Sequence, residues 1–68
     1  MNKERLKSVM ALHSDTSKGL AEYLGISEQS VSAKINEKGS EFKQKEIAAI
    51  KARYNLTPEQ IDSIFFDA

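Results

Sequence analysis

Thr16-Ser-Lys-Gly-Leu-Ala-Glu-Tyr-Leu-Gly-Ile-Ser-Glu-Gln-Ser-Val-Ser-Ala-Lys-Ile35 is the stretch that decides the fold of this 68-residue chain. Leu20, Ala21 and Leu24 recur at helical spacing, and Val31 and Ile35 do so again one turn apart. Between the two series stands Gly25, the residue type that enters a left-handed turn at least steric cost. Thr16 and Ser27 precede the series, and each hydroxyl can accept from a free N–H in a first helical turn. Two short helices joined by a tight turn that begins with glycine must cross steeply. The residues that pack the crossing are then Leu20, Ala21, Leu24, Ile26, Val31 and Ile35, and the small Ala21 lets the helices approach. Glu28, Gln29, Ser30, Ser32, Ala33 and Lys34 are left on the outer side, short or polar groups able to lie against base edges in a DNA major groove ~12 Å wide.

Outward from this pair, the pattern stays helical. A first helix is expected from about Lys3 to His13, with Leu6, Val9, Met10 and His13 on one stripe and Lys3, Arg5 and Lys7 off it. The third helix should end near Asn36, before the polar loop Glu37-Lys38-Gly39-Ser40. Phe42 then anchors the chain where it re-enters the core, and a fourth helix places Ile47, Ile50 and Tyr54 on one stripe, with Asn55 as its stop. Thr57-Pro58-Glu59-Gln60 is a complete start signal: a threonine cap, proline at the first helical position, an acid near the positive helix end and glutamine where a capping box needs it. The fifth helix runs to about Phe66 with Ile61, Ile64 and Phe65 apolar. No strand-like alternation or hairpin dipeptide interrupts. The expected fold is one all-α domain over residues 1–68, a compact five-helix bundle with short connections.

Composition narrows the chemistry. There is no cysteine, and His13 is the only histidine, so disulfides, thiolate metal sites and the usual Cys or His nucleophiles are absent. Glu22, Glu28, Glu37, Glu41 and Glu46 offer no pair with a partner that would shift a carboxyl pKa. The expectation is a protein that is no enzyme, needs no cofactor or metal and takes no small-molecule substrate. No apolar run approaches a membrane span and the N-terminus lacks a signal-peptide stretch, so a soluble, cytoplasmic protein is expected. Formal charge is zero, but residues 1–53 carry all ten bases against seven acids, whereas Glu59, Asp62 and Asp67 close the chain without a base. Such asymmetry directs one face toward an anion.

Leu20-Ala21, Leu24-Gly25-Ile26-Ser27, Val31-Ser32 and Ile35 together resemble the phage repressor and Cro-type helix-turn-helix family. Phe42, Glu46-Ile47, Ile50, Asn55-Leu56-Thr57 and Ile64-Phe65-Phe66 are similar to a subgroup of small phage-encoded regulators. The resemblance implies a lambda-repressor-like bundle with the helix-turn-helix at helices 2 and 3, and a regulator of transcription that reads a double-stranded DNA operator. Three residues depart from the family pattern: Ser17 stands where glutamine is usual, Gly19 lies inside the second helix at a cost of up to ~1 kcal/mol relative to alanine, and Glu28 brings a carboxylate to the front of the reading helix.

Glu28, Gln29, Ser30 and Ser32 are the candidate base contacts, and the amide of Gln29 can pair with adenine N6 and N7 together. Lys34, Lys38 and Lys43 are candidate phosphate contacts, along with Ser27 and with Thr16, Ser17 and Lys18, which open a helix whose free N–H groups suit a phosphate. Phe65 and Phe66 cannot both join one core stripe. Ile61, Ile64, Phe65 and Phe66 form a candidate homodimer surface, which would set two reading helices on half-sites ~34 Å apart, and the alternative is a monomer with Phe66 folded over the small core. The competing reading is a helical protein-interaction module, an antirepressor or adaptor, that keeps the same scaffold; zero net charge and Glu28 favour it.

Overall fold

The side-chain oxygen of Asn2 accepts from the Arg5 N–H at 3.2 Å and so opens α1 (Lys3–Leu12) in a computed structural model that describes residues 1–66. Four more helices follow: α2 (Ser17–Leu24), α3 (Glu28–Ile35), α4 (Gln44–Tyr54) and α5 (Pro58–Phe65). Local chemistry sets each boundary. Thr16 Oγ1 accepts from Gly19 N–H at 3.0 Å and Ser27 Oγ from Ser30 N–H at 3.0 Å, filling orphan donors of α2 and α3. Gly25 takes a left-handed φ of 73° and turns the chain between them. Asn55, with φ 52°, ends α4 in the same conformation. Thr57 and Gln60 exchange their two capping-box bonds at 2.8 and 3.1 Å.

α1 stops at Leu12, one residue short of the expected end, because Ser14 enters the left-handed region at φ 53°. His13 is consequently an exposed C-cap rather than a stripe residue, its ring tilted against Tyr54 with centroids 5.0 Å apart.

α2 packs on α3, and α1 packs on α5. The Asn2 N–H donates to the Ile64 carbonyl at 2.6 Å, so the start of α1 meets the end of α5. One core joins all five helices and the loops. Leu6, Leu20, Val31 and Ile50 are fully buried at its centre, ringed by Met10, Ala21, Ile35, Phe42, Tyr54, Leu56, Ile61 and Ile64. Leu24, Ile26 and Ile47 pack against it only partly buried.

This core changes the expected dimer surface. Ile61 and Ile64 are buried within their own chain, and Phe65 lies edge-on against Phe42 at 5.9 Å. Side chains that fill the subunit's own core are not available to a second copy. Of the four residues only Phe66, 62% exposed, is free to meet a partner. Among the described residues there is no strand, and no helix is long and apolar enough to cross a membrane.

Candidate nucleic-acid interface

α3 presents its outer residues from a helix held at both ends. Glu28 is its first residue and is exposed; the carboxylate complements the positive end of the helix. Gln29 is exposed, and its amide makes no hydrogen bond among the described residues. Ser30 is half-buried: its oxygen accepts from the Ser27 hydroxyl at 2.9 Å, and its own O–H donates to no group among the described residues. Ser32 is exposed, and Asn36 Nδ2 donates to its carbonyl at 2.9 Å and to its hydroxyl oxygen at 3.5 Å, folding the Asn36 side chain back onto the last turn. Ser27 Oγ accepts from the Ser30 N–H and donates its one O–H to Ser30 Oγ, so only its backbone N–H remains to donate to a phosphate.

Lys34 is corrected by the structure. It is 7% exposed, and its ammonium lies 2.9 and 3.3 Å from the two carboxylate oxygens of Glu46 and 3.5 Å from the Glu41 carbonyl. A buried, paired lysine has no charge to offer a phosphate. Instead it pins the last turn of α3 to the first turn of α4, where Glu46 also accepts the Lys43 N–H at 2.9 Å. Burial pushes the Glu46 carboxyl pKa up, but the Lys43 N–H and the Lys34 ammonium outweigh it and hold the pKa below its ordinary value. The exposed cations of the expected set are Lys18, Lys38 and Lys43.

The start of α2 is already occupied by an anion. Asp15 accepts from Thr16 N–H at 2.8 Å, from Arg53 Nε at 2.8 Å, from Arg53 Nη2 at 3.1 Å and from the Tyr54 hydroxyl. The guanidinium of Arg53, with the Tyr54 hydroxyl and the Thr16 N–H, outweighs burial and brings the Asp15 pKa down to about 2. Arg53 in turn lies 4.7 Å from the centre of the Tyr23 ring, stacking α4 against α2. Burial first, and Asp15 second, raise the Tyr54 pKa. The N–H groups of Ser17 and Lys18 have no acceptor among the described residues, so the α2 terminus keeps two free donors beside a carboxylate that Arg53 neutralises.

Asp15, Arg53 and Tyr54 were not legible as a cluster, since 38 residues separate the ion pair. Gly19 is the one trace of them. A Cβ there would lie 2.5 Å from Asp15 Oδ1, so the glycine inside α2 makes room for the carboxylate. No protein-family model, curated protein or solved structure matches the chain.

Proposed function

We propose that the chain is a sequence-specific double-stranded DNA-binding regulator of the phage repressor and Cro type, a lambda-repressor-like helix-turn-helix bundle that lays α3 in the major groove and uses neither catalysis nor a cofactor. The observation that carries the reading is Gln29: an exposed amide with no bond of its own, one residue into α3, beside the free Ser30 O–H and the exposed Ser32. Unengaged donors and acceptors on a clamped helix are what base edges require, because a side chain already paired inside the protein would have to break that bond to read DNA. Glu28 suits a cytosine amine at the front of the helix. Lys18, Lys38 and Lys43, with the free amides of Ser17 and Lys18 and the exposed Thr16 hydroxyl, supply the phosphate contacts.

Selection of binding sites from random duplex DNA at two salt concentrations, with wild type and Gln29→Ala in parallel, tests this. A motif should be enriched by the wild type, should weaken as salt rises, and should lose an adenine preference in the variant. A motif that is identical in both proteins removes Gln29 from base readout. No enrichment even at low salt rejects DNA reading and favours the protein-interaction module, for which zero net charge and the exposed Phe66 speak.

A further inference from the structure

Asn36 caps the end of α3 and is exposed. It follows Gln29 by seven residues and Ser32 by four, a spacing that sets all three on one face of the helix. Its Nδ2 donates to the Ser32 carbonyl at 2.9 Å and lies 3.5 Å from the Ser32 hydroxyl oxygen. A carbonyl only accepts, so the atom facing it is the nitrogen and the orientation of the amide is fixed by chemistry. Capping accounts for that nitrogen alone. Asn36 Oδ1 accepts from no group among the described residues, and the Ser32 O–H donates to none. The couple therefore keeps one spare acceptor and one spare donor flanking a shared nitrogen, on two exposed residues that a hydrogen bond holds together.

We propose that Ser32 and Asn36 act together as one adenine reader, an assignment that rests on the proposed DNA-reading function. In the major groove adenine presents a donor, its N6 amine, beside an acceptor, N7. Asn36 Oδ1 accepts from the amine, and the Ser32 hydroxyl donates to N7. Guanine offers two acceptors and leaves Oδ1 without a donor, cytosine offers only its amine and leaves the hydroxyl without an acceptor, and thymine offers one acceptor and a methyl group. Only adenine satisfies both groups at once. An asparagine that reads adenine alone uses its own amide nitrogen for the N7 bond. Here that nitrogen is committed to the helix, and the Ser32 hydroxyl takes its place. Ser32 and Asn36 lie about 4 and 10 Å beyond Gln29 along the helix axis, at ~1.5 Å per residue. Successive bases are ~3.4 Å apart, so this adenine belongs to a different base pair from the one Gln29 reads.

Site selection followed by atom-by-atom substitution in the enriched duplex gives the test, with circular dichroism confirming that each variant is folded. Ser32→Ala and Asn36→Ala should both relax an adenine preference at the same base pair, one that Gln29→Ala leaves in place. At that base pair 7-deazaadenine removes the N7 acceptor, and purine removes the amine. Each analogue should weaken wild-type binding about two- to tenfold, the range for one hydrogen bond. The effects should then cross. 7-Deazaadenine should weaken Asn36→Ala further but not Ser32→Ala, and purine should weaken Ser32→Ala further but not Asn36→Ala. A loss of order at the end of α3 would instead weaken binding to every duplex alike. A motif that both variants leave unchanged, relaxation at two different base pairs, or equal penalties from both analogues in both variants overturns the joint reader and leaves DNA reading by α3 standing. No enriched motif at low salt overturns both.

Discussion

Gly19 was legible in the sequence only as an irregularity, and its cause shows why single residues are hard to read. Helix propensity alone makes Gly19→Ala stabilising by up to ~1 kcal/mol. The structure reverses the sign, since the new methyl group meets an Asp15 carboxylate fixed by Arg53, Tyr54 and Thr16. We expect Gly19→Ala to cost about 1 kcal/mol or more by urea denaturation, and to become neutral or stabilising once Asp15 is first changed to alanine. Asp15 also contributes to stability in acid. Its folded pKa of about 2 lies below the ordinary aspartate value of 3.8, so its carboxylate stabilises the fold above pH 4 and that stabilisation is lost as pH falls toward 2. The contribution is up to about 2 kcal/mol, large for a domain this small. Urea midpoints measured across that range should fall for the wild type and change much less for Asp15→Asn.

At the scale of elements, starts and stops were readable because they depend on neighbours in sequence. Thr16, Ser27, Asn55 and the Thr57–Gln60 box each act within one helical turn, and all form. What holds α3 against α4 was not readable, because Lys34 and Glu46 are 12 residues apart and each looks like a surface charge in isolation. Lys34 lies on the side of α3 away from α2, but α4 and the loop through Glu41 cover the last turn of α3 and bury it. Removing one partner strands a buried charge and typically costs ~3–5 kcal/mol, whereas replacing both with apolar groups of similar size costs far less. Thermal or urea unfolding of Glu46→Met, Lys34→Met and the Lys34→Met/Glu46→Met double variant should therefore give a double variant more stable than the sum of the singles implies. Additive losses would show that the pair contributes no coupling.

Across the whole molecule, the all-helical class and the layout of the core were legible, because apolar periodicity reports burial directly. The dimer surface was not, since Ile61 and Ile64 satisfy the same pattern whether they face their own core or a partner. On the proposed function, a chain with no net charge would bind DNA through a few placed cations rather than through its overall field. Each phosphate neutralised contributes about −0.9 to the slope of log affinity against log salt. Lys43→Gln should thus make the slope shallower by about 0.9 per copy bound, whereas Lys34→Met, removing a charge already paired inside the protein, should lower stability and leave the slope unchanged.

The central claim is that the outer side of α3 is the surface that meets DNA. Titrating isotope-labelled protein with duplex DNA and following backbone and side-chain amides by NMR locates that surface directly. We predict the largest changes at Glu28, Gln29 with its side-chain amide, Ser30 and Ser32, with smaller ones at Ser17, Lys18, Lys38 and Lys43. Changes confined to α1 and α5, or none at all at low salt, would contradict it.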